Sequence, residues 1–119
     1  MRQSTPKKET AIMQNFYSLS DLENQRTHTG KLYLEFLRIP AMSAGIYVLP
    51  PGSTDPQSPH KQDELYYVVR GKARMKVASE DRPVVSGSVI FVAAGVEHRF
   101  YDIIEDLTVL VFFAPAETA

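Results

Sequence analysis

GSTDPQSPHKQDELYYVVRG (residues 52–71) and GSVIFVAAGVEHRFYD (residues 87–102) decide how this 119-residue chain is read. The first segment holds His60 and Glu64, and the second holds His98. The chain has only three histidines, and two of them fall here. His60 and Glu64 are an even number of residues apart, so on extended chain their side chains can share a face, which Tyr66 and Val68 continue. His98 and Phe100 share a face on a different strand. Two neutral imidazoles and a carboxylate suit one divalent transition metal with coordination positions left open. Such ligands must converge from separate elements, and a closed sheet supplies a convergent interior.

Working outward, short apolar runs alternate with turn residues. KLYLEFLRI (31–39) has strand length and ends at Pro40; its alternation puts Leu32, Leu34, Phe36 and Arg38 on one face and Tyr33, Glu35, Leu37 and Ile39 on the other. GIYVL (45–49) is a second strand, ended by Pro50, Pro51 and Gly52. ELYYVVR (64–70) and KARMKV (72–77) read as strands joined by a hairpin turn at Arg70–Gly71. SEDRP (79–83) reads as a polar turn. SVIFVA (88–93) is apolar throughout and is expected to be buried. HRFYDI (98–103) and LTVLVFFA (107–114) complete seven or eight short strands. The segment 15–25 predicts one short helical turn capped by Ser18 or Ser20. The pattern predicts an all-β barrel or sandwich.

The length corresponds to one domain, 13–119, with residues 1–12 as a flexible tail and Met13 as an alternative start. There is no cysteine, which excludes disulfides, thiolate ligands, iron–sulfur clusters and cysteine nucleophiles, and fits a cytoplasmic protein. Thirteen basic and fourteen acidic residues give no global pull toward nucleic acid or an anionic membrane. No apolar run approaches a membrane span, and no apolar stretch follows the polar N-terminus as a signal peptide requires.

The two segments resemble the paired motifs of the cupin superfamily of small jelly-roll β-barrels. The first motif is glycine, five residues, His-x-His, three or four residues, glutamate, six residues, glycine. This chain has Gly52, Ser58-Pro59-His60, Glu64 and Gly71 at those spacings, with serine for the first histidine. The second motif is glycine, five residues, Pro-x-Gly, two residues, histidine, three residues, asparagine. Here Gly87, Ala93-Ala94-Gly95, His98 and Asp102 occupy it, with alanine for proline and aspartate for asparagine. The resemblance covers about residues 45–113. It implies a single-domain jelly-roll barrel with a metal held by His60, Glu64 and His98. Iron, manganese, zinc and nickel all fit that set. For the fourth position, Gln57 ranks ahead of Ser58, with water as the further alternative.

Taken singly, each residue has a plainer reading. His60 follows Ser58-Pro59 as a loop histidine does, Glu64 could be a surface carboxylate at a strand start, and His98 a turn histidine after Gly95. His28 fits neither motif and is expected on a surface loop. Asp63 points away from Glu64 and is expected to be solvated or salt-bridged. Arg70, Lys72, Arg74 and Lys76 form the polar face of a half-buried pair of strands. The joint spacing favours the metal. Tyr47, Tyr66 and Phe100 are the pocket-lining candidates. Metal-dependent enzyme action on a small organic molecule follows, with a dioxygenase favoured over a decarboxylase, lyase or isomerase. The alternatives are a non-catalytic binding or sensing module and a structural barrel that has lost its metal. A homodimer is expected, because apolar strands such as 31–39 need cover and sheet edges pair between subunits.

Overall fold

The computed structural model describes residues 14–56 and 59–118. The expected tail at 1–12, Gln57 and Ser58 therefore lie outside the described residues. One α-helix, α1 (Leu19–Thr29), precedes six strands: β1 (Tyr33–Ile39), β2 (Met42–Leu49), β3 (Asp63–Val77), β4 (Glu80–Val85), β5 (Val89–Val92) and β6 (His98–Ala114). The strands pair antiparallel in the order β1-β2-β6-β3-β4. β5 pairs with the first part of β3, along the edge that β4 takes further on. No helix among the described residues is long and apolar enough to cross a membrane.

The helix is longer than the single turn expected. Ser18 caps it, its hydroxyl accepting the Asp21 N–H at 3.2 Å, and Gly30 ends it in the left-handed conformation. Its polar composition hides its extent, and tertiary contact supplies the rest. Leu22 is buried, α1 packs on β1 and β2, the Tyr17 and Phe36 rings meet at 5.1 Å, and Glu23 pairs with Arg70 at 2.6 Å. β1 thus gets part of its cover within the chain and is half-buried. His28 lies in the last helical turn rather than on a loop.

β3 and β6 form one long ribbon that folds over on itself. Arg70–Gly71 is no hairpin: β3 continues through it without reversing, and β6 likewise joins two stretches read as separate strands. The bend appears as register shifts between Val68 and Arg74. Gly71 sits there at φ +110°, where a Cβ would lie 2.7 Å from Leu107 Cα and closer still to the Asp106 carbonyl oxygen. Between the folded halves lies the core, including Tyr66, Val68, Met75, Phe100, Leu107 and Val109.

Other expectations are corrected in detail. SEDRP is mostly β4, and the reversal is confined to Ala78 and Ser79. The segment is polar because β4 is an exposed edge, where Pro83 is tolerated. SVIFVA is not buried as a whole: Val89 and Phe91 are 61% and 59% exposed. A bulge between Glu35 and Leu37 breaks the alternation expected for β1. Arg38 pairs with Ser43, on the same face as Glu35, and makes a bidentate ion pair to it at 2.8 Å.

Candidate metal centre

Glu64 lies near the start of β3 and is paired with Phe113, whereas His98 opens β6 and is paired with Val77 near the other end of the ribbon. Laid out straight, β3 would separate those two positions by ~43 Å at the usual rise per residue. In the folded ribbon His98 Nε2 stands 3.1 Å from Glu64 Oε1. The bend therefore makes the site. Inward alternation along β3 buries Glu64, Tyr66 and Val68 on one face, as the even spacing predicts.

His60 arrives on the loop before β3. Its carbonyl accepts the Gly95 N–H at 2.7 Å, tying the two motif segments together. Asp63 adds a second tie by accepting the Ala94 N–H at 2.9 Å. The His60 ring meets Phe113 edge-on at 5.0 Å and lies 5.7 Å from His98. His60, Glu64 and His98 each bring one ligand atom within 4.8 Å of the others, an arrangement that could hold a metal ion.

The donor set fits such an ion on its own evidence. Both Glu64 carboxylate oxygens and His98 Nε2 are buried without an aligned hydrogen-bond partner, although they lie close together. Buried polar atoms rarely stay unsatisfied. His98 Nδ1 lies 2.9 Å from the Val96 carbonyl, so an N–H belongs there and Nε2 is the nitrogen that faces Glu64. Burial disfavours a charged His98, but the Glu64 side chain and the Val96 carbonyl outweigh it and raise the ring above the usual histidine range.

The profile of the Cupin domain family matches residues 45–113, more than half of the chain. This chain belongs to the cupin family. It is 49% identical over 102 residues to an uncharacterized protein of Streptomyces coelicolor, covering 86% of this cupin and 97% of that protein. Its fold is similar to that of a Thermus thermophilus protein, with TM-score 0.69 and 22% identity over 85% of this chain and 97% of the other. It is also similar to an RmlC-like cupin of Shewanella frigidimarina, with TM-score 0.66 and 19% identity over 71% and 75%. Where the family motif has asparagine, this cupin has Asp102 at φ +49°. Both residue types tolerate that left-handed conformation, so aspartate suits this irregular point within β6.

A cavity of about 180 Å³ opens beside His60 and Glu64, with Tyr33, Tyr47, Phe113 and Glu117 also in its walls. Of the candidates from sequence, Tyr47 lines it. Tyr66 and Phe100 are fully buried, packed edge to face at 5.0 Å, with Tyr66 6.0 Å from the His98 ring. Burial, then the Glu64 carboxylate, pushes the Tyr66 hydroxyl far up.

Three residues escaped the sequence reading. Asp55, in the loop between β2 and β3, is 5% exposed and accepts the Tyr47 hydroxyl at 2.8 Å and the Phe100 N–H at 2.9 Å. It joins that loop to β2 and β6. Tyr33 lays its ring where a Cβ of Gly45 would be, and its hydroxyl is buried without a hydrogen-bond partner. Burial and then the Glu117 carboxylate hold that hydroxyl in its neutral, donating form. Glu117 places Oε2 3.5 Å from His60 Nδ1, and burial raises its carboxyl above the usual range.

Proposed function

We propose that His60, Glu64 and His98 hold one divalent transition metal and that this cupin acts on a small organic molecule in the adjoining cavity. The observation that carries this reading is the convergence of three ligand atoms, Glu64 and His98 from two distant ends of one ribbon and His60 from the loop before it. When bound, the ion supplies Lewis acidity toward the small molecule. The chain's own groups do the rest. The Val96 carbonyl fixes the His98 tautomer. The Tyr33 hydroxyl offers a hydrogen-bond donor to an acceptor in the cavity, and the Tyr47 and Phe113 side chains help wall it off. A cavity of about 180 Å³ suits a ligand well below drug size. Iron, manganese, zinc and nickel all suit two imidazoles and a carboxylate. A dioxygenase is the favoured reaction class, because that set leaves positions open. A sensing or binding module is the second reading. It calls for a purely apolar cavity, and the ionisable Glu117 and Tyr33 side chains in the wall weigh toward the enzyme.

Elemental mass spectrometry on tag-free protein tests the site. The wild type is expected to carry close to one metal equivalent. The His60→Ala/His98→Ala double variant is expected to carry none while keeping its circular dichroism. A wild type that takes up no metal on reconstitution would sink the proposal.

We also propose that two copies associate through the outer face of β3 and β5. Leu65 pairs with Phe91 and Tyr67 with Val89, and all four are at least 40% exposed. A two-fold axis could lay this apolar strip on its own copy. Light scattering is expected to give a dimer for the wild type and a monomer for Phe91→Glu. A monomeric wild type at tens of micromolar would overturn it.

A further inference from the structure

Glu117 belongs to neither motif, yet its position is set by several contacts. Its N–H donates to Ser43 Oγ at 2.9 Å, and its carbonyl accepts from Arg38 Nη2 at 2.7 Å. The N–H of Ala116 donates to the Pro40 carbonyl at 3.3 Å, and Gln62 Nε2 donates to Thr118 Oγ1 at 2.8 Å. Two of the anchors are deeply buried: Ser43 is 0% exposed and Gln62 5%. The β1 bulge matters here as well, since it places Arg38 on the Ser43 face. Residues 116–118 are thereby strapped across the end of the sheet, and the Glu117 side chain reaches the cavity wall beside His60.

We propose that Glu117 is the positioning residue for His60, and that residues 116–118 form a latch that sets this imidazole for the metal. The inference rests on the metal reading of His60, Glu64 and His98. His60 needs such help more than His98 does. It sits on a loop with its side chain 20% exposed, whereas the His98 side chain is buried at the start of a strand and held by Val96. Position 58 is serine, so no second imidazole two residues earlier shares the task. A carboxylate against the non-ligating nitrogen of a metal-bound histidine fixes the ring and strengthens it as a ligand. Glu117 stands where that partner belongs.

The test is zinc affinity, measured on the full chain by chelator competition. Glu117→Ala is expected to weaken zinc roughly 10- to 100-fold, the usual range for loss of such a partner. Glu117→Gln keeps an acceptor oxygen without the charge and should fall between Glu117→Ala and the wild type. Ser43→Ala leaves the Glu117 side chain in place and removes one anchor of the latch, the hydroxyl that accepts the Glu117 N–H. It should weaken zinc by roughly fivefold, about one neutral hydrogen bond. The Ser43→Ala/Glu117→Ala double variant should bind no more weakly than Glu117→Ala alone, because the latch acts through that side chain. A chain ending at Ala116 reads the same effect should Ser43→Ala melt early, and it is expected to match Glu117→Ala. Wild-type affinity in Glu117→Ala, or additive losses in the double variant, would overturn the role of Glu117 and leave the metal site standing. A wild type that binds no zinc or other divalent metal would overturn both.

Discussion

Gly71→Ala is expected to unfold the protein at far lower urea than the wild type and to abolish metal binding with it. Two effects add at this position. An alanine must adopt φ +110°, which L side chains rarely do, and its Cβ must enter space held by the Asp106 carbonyl and Leu107 Cα. Those are backbone atoms of the paired strand and cannot rotate away. Strain and overpacking together cost about 2–6 kcal/mol, a large part of a domain's usual stability. Gly87→Ala is the control, since Gly87 is also at positive φ but has nothing within 4 Å of its added Cβ. It should lose only the conformational part, about 1–3 kcal/mol. Urea titrations followed by circular dichroism separate the two. A Gly71→Ala midpoint equal to that of Gly87→Ala would show that the bend does not depend on this close approach. The consequence for function is direct. His98 and Glu64 sit toward opposite ends of the ribbon, so any chain that fails to bend there leaves the two ligands far apart.

The same glycine shows where local sequence runs out. Arg-Gly between two alternating strands looks alike whether the chain reverses or a long ribbon bends, because both need a residue that tolerates positive φ. Only pairing with β6 on both sides of Gly71 distinguishes them, and that is a long-range fact. SVIFVA was misjudged for a related reason: hydrophobicity says a face wants cover without saying whether its own chain provides it. The bulge that turns Arg38 leaves no mark in KLYLEFLRI. By contrast, the family, the strand-rich fold and the meeting of His60, Glu64 and His98 were legible, because two motif spacings had to hold at once. Glu117 was not. Its place beside His60 depends on how Ser43, Arg38 and Gln62 catch the chain's end, and no spacing encodes that.

Glu64→Leu is expected to abolish metal uptake and to lower stability, by more in the presence of metal than in its absence. Metal uptake should disappear, since the carboxylate is the only acidic ligand in the cluster. The metal-free variant should melt below the metal-free wild type. Glu64 is 2% exposed, its Oε1 stands 3.1 Å from His98 Nε2, and its carboxylate also faces the buried Tyr66 hydroxyl. Leucine fills similar space beside Phe113 and Val92, its cross-strand neighbours, but leaves both of those buried polar groups without their partner. Removing one partner of a buried polar contact costs about 1–3 kcal/mol. Saturating metal should widen the gap, because an ion at a hundred times its Kd adds about 2.7 kcal/mol to the wild type alone. Thermal melts of both proteins, with chelator and with excess zinc, read all four states. A gap that stays the same on adding zinc would mean that the carboxylate serves only the fold's own polar network. A Glu64→Leu variant that melts above the wild type in chelator would mark Glu64 as a residue the fold tolerates at a cost, kept in place for what it binds.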